Sequence, residues 1–373
     1  MKSARYDLAI VGAGIVGLAH ALAAARRGLH TIVFDRDAAA NGASVRNFGF
    51  ITVTGQSRGH VWRRARRSRD VWEEIASKAH IPVIHRDECL LAHSARAMAV
   101  LEEFAATEMG EQCEVLDARE TLEEVPMANE RDLAGSLWSP HELRIEPRSA
   151  IPALASYLED AGVEIRRGVA VRAVAAPALE TTAGPVHAGR IVVACGPDLI
   201  TLFPDACARH ATRTCKLQML RMAPQPDGWR LPASIMSDLG LIRYRGFSEL
   251  PSAKELSSEL RAREPRAIEY GIHAIVVQNA DGSLVVGDSH DYAATPDPFY
   301  YTDIENEVLR VATDALQIPR REIIERWVGV YPQSESCEWF VDSPDPLTRV
   351  VAVTAGNGMS TAFALAEEVV AEL

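Results

Sequence analysis

The 373-residue chain predicts an α/β fold, α+β overall, built as two interleaved domains. Three features carry that reading. A strand, a glycine turn, a helix and a second strand open the chain. A strand, a glycine loop and a helix close it. The stretch between does not continue as regular β-α repeats: it opens with a polar, glycine-bearing loop and later carries a hairpin signal.

In the opening unit, Tyr6–Val11 is a short apolar strand. Gly12-Ala13-Gly14-Ile15-Val16-Gly17 follows, then Leu18–Arg27, an Ala- and Leu-rich helix that Gly28 would cap. Thr31–Asp35 is the second strand. This is β-α-β with G-x-G-x-x-G at its first turn, the Rossmann-like dinucleotide signature. Gly12 permits the tight turn, Gly14 lets a pyrophosphate approach the backbone, and Gly17 lets helix pack on strand. The helix N-terminus, with Ile15 and Val16 beside it, presents free N–H groups to phosphates. Asp35 stands 23 residues after Gly12, close to the offset of the ribose-binding acid. An acid and not an arginine there argues against a 2′-phosphate, with Arg36 next door as the one feature on the other side. The bland alternative is a glycine-rich βα turn of some other α/β protein.

The next elements are read in order. Asn41–Phe50 is the polar loop, and Val61–Ala79 is a helix with apolar or small positions at 61, 65, 68, 72, 75 and 79. Glu114–Glu124 is charged and Pro-bounded. Arg213–Met222, Gly271–Gln278 and Ser283–Gly287 read as strands, the last two joined through Asn279-Ala280-Asp281-Gly282. Ala253–Glu264 is a charged helix or loop at the surface. Asp303–Leu316 is a helix and Arg326–Pro332 a strand. At the end, Val350–Val353 is a strand, Thr354–Ser360 a glycine loop and Thr361–Glu372 a helix. Two such units fit a cofactor bridged by both chain ends. The second helix terminus could stabilise a reduced, anionic flavin.

Composition excludes several classes. The net charge of −12 disfavours nucleic acid and anionic membranes as partners. The basic run Arg63, Arg64, Arg66, Arg67 and Arg69 reads as a solvated helix face. No apolar run reaches the roughly 20 residues of a membrane span. Met1–Asp7, with Lys2 and Arg5, leads into a strand and not into a signal-peptide core. The six cysteines form no C-x-x-C pair and read as reduced thiols, which places the chain in the cytoplasm. No His/Asp/Cys cluster shows metal spacing, so no metal is expected.

With these residues in view, the chain resembles the FAD-dependent oxidoreductases of the D-amino-acid oxidase and glycine oxidase group. Five landmarks carry the resemblance over essentially the whole chain: Gly12–Gly17 with Asp35, Ser44–Gly49, Gly162–Ile165 with Val169–Val171, Ile191–Asp198, and Gly356–Ser360. It implies an FAD domain of the glutathione-reductase type interleaved with a mostly antiparallel substrate sheet. The implied division is 1–85, 145–212 and 325–373 for FAD, and 86–144 and 213–324 for substrate. It further implies that Gly12, Gly14, Ile15, Val16 and Gly17 meet the pyrophosphate and Asp35 and Arg36 the ribose region. Ser44 and Arg46 would lie along the phosphates, and Asn47, Phe48 and Gly49 near the ring. Val169 or Val171 would meet the adenine, with Cys195 and Gly196 beside the nucleotide. Gly356, Asn357, Gly358, Met359 and Ser360 would face the flavin's pyrimidine end. No cysteine lies on Arg326–Pro332, where some relatives tether flavin, and Cys337 comes several residues late, so non-covalent FAD is expected.

The resemblance also has departures. Glycine oxidases usually carry G-x-R-P on that strand, with the arginine on the substrate carboxylate. Here it reads Gly329-Val330-Tyr331-Pro332, and the C-terminal loop also lacks arginine. Without an arginine fork, an ordinary amino-acid carboxylate is disfavoured at that place. S-x-R-N-F-G, G-D-S-H and R-W-x-G-V-Y together resemble a branch associated with aminophosphonate catabolism. A phosphonate could be met by Arg46, a protonated His290, Tyr331 and backbone N–H groups, with His273 facing them. His290 could equally be a structural histidine bonded to Asp288 or Asp291, and Tyr331 and His273 core residues.

The implied reaction is oxidation of a small amine, 2-aminoethylphosphonate-like or its N-methyl form, by hydride transfer to flavin. The imine would hydrolyse to an aldehyde plus amine or ammonia. No side chain is required as a nucleophile, since the flavin does the chemistry. O₂ or another acceptor would reoxidise it, with Lys216 or His290 as a positive charge nearby. The alternatives are a glycine, sarcosine or D-amino-acid oxidase or dehydrogenase and, more remotely, a non-catalytic or tRNA-modifying flavoprotein. A homo-oligomer is compatible with all of these.

Overall fold

Parallel strands buried on both faces read as continuous apolar runs, and Tyr6–Val11, Thr31–Asp35 and Thr348–Val353 are such runs. The computed structural model describes residues 6–373, so the leader reading of Lys2 and Arg5 falls outside the described residues. In the first sheet the order is Trp339–Asp345, Thr348–Val353, Gly184–Val193, Tyr6–Val11, Thr31–Asp35 and Glu164–Arg167. All these pairs are parallel except the first. Helices Ile15–Arg26, His60–Lys78, Pro147–Asp160 and Gly358–Ala371 contribute to one apolar core against this sheet.

The second sheet has ten strands and is antiparallel throughout its named pairs except where Ser234–Met236 runs parallel to Val83–Ala92. The chain enters it several times between strands of the first, as an interleaved α/β architecture requires. Strand pairing departs from the division at 325: Ile323–Gln333 pairs along its length with Arg213–Met222, in the second sheet. Phe50–Ile51 also pairs there.

Some elements differ from the sequence reading. Glu114–Glu124 splits into strand Glu114–Asp117 and helix Ala118–Glu124, joined by a capping box between Asp117 and Glu120. Ala253–Arg263 is a helix whose Ala253, Leu256 and Leu260 are buried, so it is not purely a surface segment. The basic run is not uniformly solvated either. Arg64 is buried, bonds Glu368 and stacks over Trp339 with 4.0 Å to the ring centroid. It therefore fastens the long helix to the C-terminal one. Among the described residues no helix is long and apolar enough to cross a membrane.

Arg144, only 1% exposed, sits in the second sheet against the Phe48 loop. Its guanidinium donates to the carbonyls of Phe48 (3.0 Å) and Gln278 (3.4 Å) and to the side chains of Asn279 and Glu146. A buried cation needs this many acceptors to offset its lost hydration.

Candidate functional site

A single cavity of 910 Å³ runs from the first glycine turn to the second sheet. At the nucleotide end the glycines are sterically required. A Cβ on Gly12 (φ +105°) would lie 2.5 Å from the Ala194 carbonyl oxygen, and one on Gly17 would lie 1.8 Å from that of Gly12. A Cβ on Gly14 would fill the cradle beside Ser44 Oγ, at 3.0 Å. Ser44 Oγ accepts the Ile15 N–H at 2.9 Å. Asp35 accepts the Ala13 N–H at 2.7 Å and the Asp37 N–H at 2.9 Å, so it also closes the turn. Val169 donates its N–H to the Asp35 carbonyl at 2.9 Å. Arg36 pairs with Asp198. Val16, Val171, Cys195 and Gly196 join these residues in the wall.

Gly17 and Gly49 are placed differently: neither is part of the cavity wall. Gly17 serves packing behind it. Gly49 (φ +68°) runs so close to Ile145 that a Cβ would meet its carbonyl oxygen at 1.9 Å. Asn47 shapes this loop, donating to the Ala43 carbonyl and accepting the Gly49 N–H at 2.7 Å. Arg46 is in the wall, yet its guanidinium donates to the Val328 carbonyl (3.1 Å) and Asn41 (2.9 Å).

Gly356, Asn357, Gly358, Met359 and Ser360 also line the cavity. The C-terminal helix starts at Gly358 and not at Thr361, so Gly358–Ser360 form its first turn. Gly356 (φ +72°) lies against the Tyr331 ring, whose Cζ a Cβ would approach to 3.0 Å. Two helix N-termini and a glycine cradle thus open on one elongated space, which fits a dinucleotide cofactor with a ring at its far end.

The far end is walled by Phe48, Leu217, Met219 and Ile275, with a cluster of polar groups. Tyr331 is buried, and burial holds its phenol well above its usual pKa, so it is a neutral hydrogen-bonding group. His273, Asp288 and His290 converge here. Asp288 Oδ1 lies 3.3 Å from His273 Nδ1, and Asp288 Oδ2 lies 3.8 Å from His290 Nε2. Burial pushes the Asp288 carboxyl up to about 7, against the pull of Arg243. Burial first, and Arg243 next, hold both imidazoles well below their usual pKa.

This corrects the expectation of a protonated His290. Its Nδ1 sits 2.9 Å from the Gly271 carbonyl, which only accepts, so Nδ1 carries the proton and Nε2 the lone pair. His290 is a neutral acceptor toward the cavity. Lys216 is likewise spoken for: its ammonium bonds Asp297 at 2.9 Å, and it is not in the wall. The three residues at 273, 288 and 290 also bring together a set that could hold a cation, which sequence spacing did not reveal. Cys337 lies outside the wall, its Sγ 3.9 Å from His210 Nδ1.

Sequence reasoning missed Arg243, which enters the cavity after the short helical turn Asp238–Ile242. Its guanidinium donates to the Tyr292 hydroxyl at 2.8 Å, and it has no ion pair among the described residues. Burial opposes its charge, but Tyr292, Tyr331 and Asp288 hold its pKa above the ordinary value. The one local signal is a charge placed directly behind Leu241 and Ile242. Tyr244 and Tyr292 were missed with it.

Comparison with known proteins agrees with this geometry. Residues 7–373 match the family model described as FAD dependent oxidoreductase. Among solved structures, glycine oxidase from Geobacillus kaustophilus superposes with a TM-score of 0.80 at 20% identity, covering 99% of this chain and 94% of that one. L-proline dehydrogenase from P. horikoshii gives 0.80 at 17% identity, with the same 99% and 94% coverage. An FAD-bound L-alpha-glycerophosphate oxidase from Mycoplasma pneumoniae gives 0.78 at 17% identity, with 99% and 95% covered. A curated relative, 4-methylaminobutanoate oxidase (formaldehyde-forming) from Paenarthrobacter nicotinovorans, is 27% identical over 199 residues. That match covers 50% of this chain and 24% of the relative's length.

Proposed function

The chain belongs to the FAD-dependent oxidoreductase family, and from that premise we propose that it oxidises a small amine bearing an anionic group, an aminophosphonate first among them. The carrying observation is Arg243: a cation in the cavity whose hydrogen bond goes to a neutral phenol. A half-buried guanidinium without a carboxylate partner is a site for an anion from outside. Tyr292 and Tyr331 flank it, on different strands. One guanidinium and two hydroxyls, approaching from separate elements, suit a tetrahedral group with three oxygens better than a planar carboxylate does. Arg243 thus takes the anion-binding part first given to Arg46 and His290.

Held by the Gly12–Gly14 turn, Asp35, Ser44 and the Gly356–Ser360 loop, FAD would supply the hydride-accepting chemistry for oxidation at the carbon bearing the nitrogen, and water would hydrolyse the resulting imine to aldehyde plus amine or ammonia. The chain's own residues bind and orient. Arg243 fixes the anion, Phe48, Leu217 and Ile275 exclude water, and Tyr331 packed on Gly356 keeps the ring pocket shaped. FAD is held without a covalent link, since Cys337 is outside the wall and Cys195 lies at the nucleotide end. A second reading, an N-methylamino carboxylate, is favoured by the similarity to 4-methylaminobutanoate oxidase.

Anaerobic flavin bleaching tests this. 2-Aminoethylphosphonate and its N-methyl form are set against glycine, sarcosine and D-alanine, and the phosphonates are expected to bleach faster. Efficient reduction by the carboxylates alone would replace the aminophosphonate reading with the amino-acid one.

A further inference from the structure

We propose that Asp288, with His273 and His290 on either side, is the acceptor site for the substrate's ammonium group, the counterpart of Arg243. This rests on the reading of the substrate as a small amine with an anionic group. Three groups able to accept converge on the cavity, their ligand-capable atoms within 4.8 Å of one another. His290 offers a lone pair, because its one N–H is used on the Gly271 carbonyl. Asp288 Oδ1 and His273 Nδ1 are buried and face each other at 3.3 Å, yet form no aligned hydrogen bond with each other or with any other group among the described residues. Buried polar atoms without partners are costly, and such a set is retained where something else satisfies it. An ammonium supplies two or three N–H donors and a single positive charge.

The charge pattern points the same way. Arg243 and Asp288 share the cavity and feel each other's charge, yet they form no ion pair among the described residues. Two opposite charges held apart in one desolvated space complement a zwitterion, with one end on each. A divalent metal could use the same three residues, but the guanidinium beside them repels a dication more than a monocation. Oxidation requires the neutral amine. The proton therefore passes from the substrate nitrogen to Asp288, giving amine plus carboxylic acid, with no other bond made or broken. The groups surrounding Asp288 are Arg243 and Tyr244 from the turn, Cys215 and Tyr292 from the sheet, and the two histidines.

The test is anaerobic calorimetric titration of dithionite-reduced holoenzyme, which the amine cannot reduce further. Two matched pairs are used: 2-aminoethylphosphonate against ethylphosphonate, and glycine against acetate. In whichever pair binds, the amine should bind at least about tenfold tighter than its amine-free partner. In Asp288→Asn that preference should fall to within about threefold, with the amine-free ligand still bound through Arg243. His290→Gln, a milder change, should lower the preference by about three- to fivefold and guards against misfolding of the first variant. Retained flavin absorbance reports that each variant is folded. A preference that survives in Asp288→Asn overturns the proposal, as does its absence in the native protein or binding of neither pair. So does one equivalent of zinc in the dialysed holoenzyme that Asp288→Asn abolishes, which would make the trio a metal centre. Which pair binds bears only on the phosphonate reading, so the two ideas fail separately.

Discussion

The two ends of the cavity are built by different means. At the glycine-turn end the wall is mostly backbone: glycines clear space, helix termini offer N–H groups, and Asp35 locks the turn through Ala13 and Asp37. These parts come mostly from two short, contiguous stretches of chain. At the far end the wall is made of side chains, and they arrive singly. Arg243 comes from a helical turn, His273 and Asp288 from either side of a hairpin, and Tyr331 from a strand of the second sheet. A backbone site is encoded as a spacing. A side-chain site is encoded only by the fold that gathers it.

Substitutions at the two ends should therefore fail in different ways. The largest effect belongs to Gly17→Val. Its Cβ position lies 1.8 Å from a backbone oxygen, which cannot move aside cheaply. The purified variant is expected to be colourless or insoluble; a yellow, stable protein would break the contrast. Next is Arg243→Met, which leaves FAD in place and raises KM for the anionic amine by about 100-fold, as removal of a buried charged partner typically does. An unchanged KM would move the anion site elsewhere.

Two effects of about tenfold follow. Asp35→Ala should weaken FAD by that factor or somewhat more, since a charged acceptor and the turn it closes are lost together, about 1.5–3 kcal/mol. Fluorescence titration of the apoprotein with FAD checks it. The pH dependence supplies the other. The Asp288 carboxyl, raised to about 7, is charged above that value and neutral below it. Ammonium capture is then present above pH 7 and lost as pH falls, so kcat/KM should drop about tenfold for each pH unit below it. This is the reverse of what a protonated His290 would give, and a profile that rises toward low pH would restore the latter. Smallest is Tyr331→Phe, about three- to fivefold in KM, the worth of one neutral hydrogen bond. A change as large as that of Arg243→Met would mean that the phenol does more than flank.

The same contrast explains what the sequence disclosed. Gly12, Gly14 and Asp35 were legible because turn geometry tolerates few alternatives at fixed spacing. The C-terminal loop was legible for the same reason, though its helix begins three residues earlier than the apolar period suggested. Arg64 was misread because a run of arginines looks uniform until a partner helix covers one of them. Arg243 had no motif at all, and its meaning depends on burial beside Tyr292. The charge state of His290 was misjudged because desolvation is a property of the packed cavity and not of the dipeptide around it.

Arg144 carries a consequence for how this architecture can diversify. One guanidinium holds the Phe48 loop beside the ring pocket and the hairpin of the second sheet at Gln278 and Asn279. Lengthening or exchanging that hairpin would release the Phe48 carbonyl as well, so a new substrate preference gained there would disturb the cofactor's surroundings. The turn that delivers Arg243 carries no such tie from Arg144. It is tied instead by its own packing, with Leu239, Leu241 and Phe247 buried and the Gly246 N–H bonded to the Gly55 carbonyl, so a change there is felt in that core and does not pass through Arg144.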